Sequence, residues 1–480
     1  MKKVLLLNPP AQGIYNKDCF CSHPSKANYL YHPLDLVIQS GFLKDAFEVE
    51  VLDAMALGLP EAECYRRALK ARPEAIVFLT GFHTWQTDWP LVASIKGALG
   101  SVLIGCGDIL WGNSLQAMER YPLLDGIILD FTAPGVRWYL TGQEENIQGM
   151  VYRSGDRVVE KTDANARGEF SYPVPCHERF PLEEYTIPVA LHHPYVSLLS
   201  NYGCPFHCYF CPCGSQSFKN RRIDNVMEEL GYIRSLGIRE IRFRDNTFSA
   251  DRGHAMEICS RMARDGFRFT WSCLSRVDVV DETVLATMKK AGCHTIFFGV
   301  ECGNDLMRTR YKNGVTTKKV LETFSLCRAL GIRTLAHFMV GFPGEGVASI
   351  DETVRFALDL NPDFVSFTVL EARPGTRYRQ EAVARGWISP EDWTQARCFS
   401  DPRLLSNHEL DRLQRQALRR FYLRPRYILR RMLNIKSAYE LQNLVSGGLS
   451  LTKTLLTAAR SKAGRPPGAA CRGRRPYPEP

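Results

Sequence analysis

The stretch that decides the fold is Tyr195-Val196-Ser197-Leu198-Leu199-Ser200-Asn201-Tyr202-Gly203-Cys204-Pro205-Phe206-His207-Cys208-Tyr209-Phe210-Cys211. Its first five residues form a short, mostly apolar run that leads into turn residues, the pattern of a buried strand. The three cysteines beyond it are spaced C-x3-C-x2-C, directly past the strand's carboxyl end. From here a β/α unit repeats. Further strands are expected at Arg239–Arg242, Arg268–Ser272, Thr295–Val300, Thr334–Val340 and Phe364–Val369. Helical spacing falls between them at Asn225–Leu236, Arg252–Asp265, Asp281–Ala291, Thr317–Leu330 and Ile350–Leu360. Gly237, Gly266, Gly292 and Gly331 follow the first four helices, where a left-handed cap residue belongs. Six such units make an open, partial (β/α)6 TIM-like barrel rather than a closed eight-stranded one. Chemistry on that scaffold sits at the carboxyl ends of the strands.

Working outward, residues 1–140 also alternate strand and helix. Val4–Asn8, Val49–Leu52, Ala75–Thr80, Val102–Gly105 and Gly126–Leu129 read as strands, with helices at Pro33–Leu43, Ala62–Ala71 and Leu91–Leu99. Continuously apolar strands separated by helices imply a parallel sheet covered on both faces. The expected class is therefore α/β, with an N-terminal Rossmann-like domain whose ligands lie at the strand carboxyl ends. Residues 141–190, polar and carrying Pro173, Pro175, Pro181 and Pro188, read as a linker. The barrel is expected over 191–402 and a C-terminal helical segment over 403–458. In that segment Ser406 and Glu409 fit a capping box, Leu410, Leu413, Ala417 and Phe421 form one stripe, and Pro425 interrupts the helix. The basic end, 459–480, has no core-forming pattern and reads as disordered.

Bulk properties narrow the function classes. The chain has 480 residues, 45% hydrophobic and 23% charged, with no apolar stretch near the ~20 residues that span a bilayer. The run Val4–Leu7 is too short for a secretory signal, so a cytoplasmic protein is expected. Its net charge of +10 is local: from Arg403 onward 17 Lys or Arg face 4 Asp or Glu, and the rest is slightly acidic. The tail has few aromatics, so nucleic-acid binding is not expected. The stretch Leu410–Leu433 could rest on an anionic membrane surface, although packing on the barrel is the favoured expectation. Sixteen cysteines in such a chain are mostly small buried residues, and only a local cluster points to metal.

Cys204, Cys208 and Cys211 are that cluster. Thiolates at this spacing suit zinc or an iron–sulfur cluster. A structural zinc needs a fourth ligand, for which Cys213, His207 or His177 would have to serve. A cluster on three cysteines leaves one iron open, as a reaction centre requires.

With Phe210 in its aromatic position, the motif resembles the C-x3-C-x-Φ-C signature of the radical S-adenosylmethionine (SAM) superfamily. Arg244-Asp245-Asn246-Thr247-Phe248, Trp271-Ser272-Cys273 through Arg276, Gly299-Val300-Glu301-Cys302-Gly303, Gly341-Phe342-Pro343-Gly344-Glu345 and Pro374-Gly375-Thr376 also resemble that family. Each falls where a strand delivers its carboxyl end. The resemblance implies a 4Fe–4S cluster on Cys204, Cys208 and Cys211. It also implies a SAM site that includes Phe210, Asp245, Arg276 and Glu301, with backbone at Gly341 and Gly344 approaching the adenine. It further implies an external electron donor such as flavodoxin or ferredoxin.

A Rossmann-like domain ahead of such a barrel resembles the cobalamin-binding-domain class of the superfamily. The resemblance covers about residues 1–435. It rests on Asn8-Pro9-Pro10, Leu79-Thr80-Gly81 and Gly105-Cys106-Gly107 after the first, third and fourth strands. It implies cobalamin against Asn8, Pro9, Thr80, Gly81, Gly105 and Gly107. No D-x-H-x-x-G follows the first strand, so no cobalt-ligating histidine is expected there. The implied activity is cobalamin-dependent methyl transfer to an unactivated carbon or phosphorus of a small molecule, lipid or peptide. Cyclisation or ring rearrangement without methyl transfer is the alternative, and a non-catalytic iron–sulfur electron-transfer protein is a remote one. The catalytic residues stay open.

Overall fold

The apolar runs become the central strands of two parallel sheets in the structure, a computed structural model that describes residues 2–162, 168–312, 314–394, 405–435, 439–445 and 448. The first sheet comprises β1 (Lys3–Asn8), β2 (Glu48–Asp53), β3 (Ala75–Leu79), β4 (Val102–Cys106), β5 (Gly126–Ile128), β6 (Met150–Ser154) and β7 (Arg157–Lys161). Their order is β2-β1-β3-β4-β5-β6-β7, and the first five are parallel. That is the doubly wound 2-1-3-4-5 arrangement, whose switch point lies between β1 and β3. β1 is apolar throughout because both faces are covered. Leu5 and Leu7 pack towards helices Glu61–Ala71 and Trp85–Leu99, and Val4 and Leu6 towards helix Leu34–Leu43.

Two elements differ from expectation. The stretch 141–190 is more than a linker: β6 and β7 form a hairpin that adds two antiparallel strands to the sheet. The buried run Met150-Val151-Tyr152 and the positive φ of Gly155 (59°) at the turn explain it. The helix expected from Leu91 begins at Trp85 and passes through Pro90, its sixth residue, at the cost of the hydrogen bond an amide there would donate to Gln86 O.

The second sheet comprises β8 (Tyr195–Leu198), β9 (Glu240–Phe243), β10 (Thr270–Ser275), β11 (Cys293–Glu301), β12 (Arg333–Val340) and β13 (Phe364–Val369). All six are parallel and lie in chain order, giving the expected open half-barrel. Helices Ile223–Ser235, Arg252–Arg264, Glu282–Lys290, Thr317–Ala329 and Val347–Leu360 cover its outer face. An additional helix, Asp305–Lys312, follows β11. The glycines after the first four covering helices have φ of 64–99°, as the cap reading requires.

Helix Asn407–Tyr422 opens with the expected capping box and buries Leu410, Leu413, Ala417 and Phe421 against the barrel. Pro425 starts the next helix, Pro425–Leu433, on which Ile428, Leu429, Met432 and Leu433 are exposed. No helix among the described residues is long and apolar enough to cross a membrane. The expectation for 459–480 lies outside the described residues.

The carboxyl ends of both sheets meet at the long loop 9–32. Asp18 on that loop pairs with Arg244 after β9. Lys26 donates to Ser366 Oγ (3.0 Å) and Thr368 Oγ1 (2.6 Å) on β13. Arg373, beyond β13, pairs with Asp108 after β4 at 2.9 Å.

Candidate functional site

The cysteine loop leaves β8 at the barrel mouth and is anchored on three sides by backbone and ring contacts. Tyr209 N donates to Tyr311 O (3.0 Å), and Tyr378 N donates to Tyr209 O (3.1 Å). The Tyr209 ring lies between those of Tyr311 and Tyr378, at 5.0 and 5.6 Å. Cys204 is buried, whereas Cys208 and Cys211 keep partial access to the mouth. Arg276 Nη1 reaches Cys208 Sγ at 3.4 Å, and its guanidinium stacks on Phe206 at 4.0 Å. A hydrogen bond from Cys213 holds the Cys211 thiol below its usual range. Burial pushes Cys208 up to about 11, and Lys312 and Arg276 oppose that rise. Three thiols on one short loop, with Arg276 and Lys312 beside Cys208, suit a cluster of net negative charge. The donor set therefore fits 4Fe–4S.

Glu301 ends β11 with φ +70°, a region sparsely used by any residue except glycine. A register shift between Gly299 and Glu301 breaks the β11–β12 ladder at the same place. The bulge re-aims the Glu301 carboxylate over the strand, where it pairs with Lys312 Nζ at 2.5 Å. Both side chains are nearly sealed, 7% and 5% exposed. A Cβ on Gly299 would lie 2.2 Å from both Glu301 Oε1 and Lys312 Nζ, so the pair requires glycine there.

Not every expected SAM residue offers a free group. Asp245 is fully buried and accepts from Ser200 N (2.6 Å), Ser200 Oγ (2.5 Å) and Asn201 N (2.9 Å). Burial pushes its carboxyl up to about 6. It braces the start of the cysteine loop. Gly341 has φ +92°, but its open side faces Leu410 on the C-terminal helix at 3.0 Å; only Gly344 has free space. Glu345 Oε2 closes this turn by accepting from Gly341 N and Phe342 N. Phe210 packs edge-on against Phe342 (5.9 Å), which stacks on Tyr311 (4.7 Å), so the motif's aromatic residue joins the cysteine loop to the turn.

The six residues expected to face cobalamin are filled in by the chain itself. Asn8 donates to Asp53 (2.9 Å), Pro9 O accepts from Lys17 (2.9 Å), and Thr80 Oγ1 donates to Asp88 (2.8 Å). A Cβ on Gly81 would meet Ser22 at 2.6 Å, on Gly105 Leu110 at 2.3 Å, and on Gly107 Thr80 O at 2.0 Å. Gly81 thus admits Ser22 of the loop 9–32, whereas Gly105 and Gly107 admit Leu110 and Thr80 of the first domain itself. Cys21 on that loop is exposed, yet burial pushes its thiol up to about 12, and the Cys211 charge contributes to that shift. His23 is partly accessible, and burial pushes it down to about 4. Both side chains lie on the loop 9–32 at the junction of the two sheets, where Gln216, just past the cysteine loop, donates to Cys19 O at 3.3 Å. His83, 20% exposed and bonded to Arg373 and Glu371, lies at the same junction.

Sequence reading missed Lys312, Arg373, Cys21 and His23 at this junction. Lys312 and Arg373 carry no motif, and the junction depends on which loops the two sheets bring together.

Residues 198–357 match the family model of the Radical SAM superfamily. The chain is 26% identical over 445 residues to an uncharacterized methyltransferase of Pyrococcus horikoshii, spanning 89% of this chain and 94% of that protein. It is similar to the solved structure of the cobalamin-dependent S-adenosylmethionine radical enzyme OxsB with aqua-cobalamin and S-adenosylmethionine bound. That likeness has a TM-score of 0.69 and 16% identity, over 96% of this chain and 75% of that one. It is also similar to the radical S-adenosylmethionine methyltransferase TsrM from Kitasatospora setae with cobalamin and a 4Fe–4S cluster bound. There the TM-score is 0.63 at 17% identity, over 80% of this chain and 78% of that one. At such identities these two likenesses establish the two-domain fold.

Proposed function

We propose that this chain, a radical SAM protein by residues 198–357, is a cobalamin-dependent methyltransferase acting on an unactivated centre of a small molecule, lipid or peptide. The observation that carries the reading is the junction of the two carboxyl-terminal sheet edges, tied by the Asp18–Arg244 and Asp108–Arg373 pairs, with the cysteine loop at the same barrel mouth and joined to the loop 9–32 through Gln216 and Cys19 O. It is supported by likeness along nearly the whole chain to OxsB, and by the methyltransferase names of TsrM and the Pyrococcus relative.

Cys204, Cys208 and Cys211 would hold a 4Fe–4S cluster, which when bound would supply the electron for reductive cleavage of SAM and so a 5′-deoxyadenosyl radical. Cobalamin, when bound, supplies a methyl carrier; Cys21, His23 and His83 are the first-domain side chains that would meet it. The chain's own residues hold and shield that chemistry. Arg276 donates towards Cys208 Sγ and balances thiolate charge. Lys312 pairs with Glu301 and holds it at the end of β11. Phe210, Phe342 and Tyr311 close one side with apolar rings and exclude water. Reducing electrons come from an external donor such as flavodoxin or ferredoxin.

The test is product analysis of anaerobic, cluster-reconstituted protein with SAM and reductant, with and without hydroxocobalamin. S-adenosylhomocysteine and 5′-deoxyadenosine that both depend on cobalamin support the reading. 5′-Deoxyadenosine alone, unaffected by cobalamin, overturns methyl transfer in favour of cyclisation or rearrangement.

A further inference from the structure

Away from the cluster triad, three ligand-type side chains converge under the loop 9–32. They are Cys19 on that loop, Asp35 in the first turn of helix Leu34–Leu43, and Cys106 at the end of β4. Their ligand atoms all lie within 4.8 Å of one another. Cys19 Sγ is 3.3 Å from Cys106 Sγ, and Cys106 Sγ is 3.6 Å from Asp35 Oδ1. All three residues are solvent-excluded, at 1%, 1% and 0% exposure.

What is missing is positive charge. Three other buried carboxylates of this domain have a cation, Asp88 with Lys17, Asp130 with Lys219 and Asp108 with Arg373, and a fourth, Asp53, has its two oxygens satisfied by Asn8, Ala56 N and Tyr185. Among the described residues no cation pairs with Asp35. One oxygen, Oδ1, accepts from Cys19 N (3.0 Å), and the other, Oδ2, is buried with no partner. An unpaired buried carboxylate costs several kcal/mol unless it is neutralised. A second orphan stands close by. Gln216, just past the cysteine loop, donates from Nε2 to Cys19 O (3.3 Å), while its buried Oε1 has no partner.

We propose that Cys19, Asp35 and Cys106 form a second metal site that takes a divalent zinc-type cation. Two sulfurs and a carboxylate oxygen are a zinc donor set. A Zn–S bond of about 2.3 Å in a tetrahedron sets the two sulfurs about 3.8 Å apart, so the pair opens by about 0.5 Å on binding. Water or the orphaned Gln216 oxygen completes the coordination. Binding releases both thiol protons, and any proton on the carboxyl, to solvent. The metal fastens the loop carrying Cys21 to β4 at the junction of the two sheets. This gives Cys19 and Gly105-Cys106-Gly107 a role that does not depend on methyl transfer.

The experiment measures zinc and iron on the anaerobically purified full chain after equilibration with zinc and removal of loose metal. One zinc per chain is expected beside the cluster iron. Cys19→Ser with Cys106→Ser should cut zinc at least about 10- to 100-fold, the loss already produced by changing outer-shell partners of metal sites. The iron should be retained, which also shows that the variant has folded. Cys204→Ala with Cys208→Ala and Cys211→Ala should do the reverse. If the serine variant loses iron as well, Asp35→Asn, nearly the same shape, takes its place and should weaken zinc binding alone. Zinc unchanged by the serine or asparagine variants overturns the proposal. So does a parent chain that retains no zinc, or in which mass spectrometry finds Cys19 and Cys106 joined as a disulfide.

Discussion

Replacing Lys312 with Met removes the partner of Glu301 and little else. Lys312 Nζ holds Glu301 Oε1 and Gly299 O, and both side chains of the pair are at most 7% exposed. An exposed pair would contribute about 0–1 kcal/mol. A sealed pair differs, because losing one partner strands the other charge at about 3–5 kcal/mol. For a cooperative unit of about 210 residues each kcal/mol moves the midpoint by roughly 2–4 °C, so the barrel's transition should fall by about 6–20 °C. Scanning calorimetry of the full chain, above the unfolded pKa of Glu301, makes the measurement. Glu301→Gln with Lys312→Met should recover at least half the loss, since no charge is left stranded. A fall of less than about 2 °C in Lys312→Met, or a double variant that loses the sum of the two single effects, would refute this reasoning.

Other changes separate neighbouring roles. Burial pushes Glu345 up to about 7, above its unfolded value, so its contribution to stability is full below the unfolded pKa and is lost as pH rises through 7; Glu345→Gln should flatten that part of the stability–pH curve. Gly107 has φ +135° and a Cβ there would stand 2.0 Å from Thr80 O, so Gly107→Ala should destabilise the first domain by more than about 1–3 kcal/mol, seen as faster proteolysis within residues 1–161 than in the barrel. Cys213 bonds to Asn246 Oδ1 at 3.3 Å, and Cys213→Ser should leave cluster iron unchanged; lost iron would restore a four-ligand site.

The strand pattern was legible because buried parallel strands are apolar on both faces. β8 and β13 begin where the apolar runs begin, and β1 starts one residue earlier. The cysteine triad was legible because its spacing alone carries the chemistry. The hairpin β6–β7 was not: its partner is β5, and a short, half-polar strand shows its pairing only once the edge it joins exists. Asp245 and Gly341 look like ligand contacts in sequence because they end strands, yet one is committed to Ser200 and Asn201 and the other faces Leu410. The glycines after β3 and β4 announce close approach correctly. What approaches is Ser22 of the loop 9–32 at Gly81, and Leu110 and Thr80 at Gly105 and Gly107, contacts that local pattern cannot specify.

The most direct test of the radical SAM assignment is anaerobic iron analysis, with SAM cleavage assayed in parallel, on the parent chain and on Cys204→Ala, Cys208→Ala and Cys211→Ala separately. The account predicts that the parent binds cluster iron and releases 5′-deoxyadenosine from SAM on reduction, and that each variant loses both. Full iron content in all three variants would contradict it.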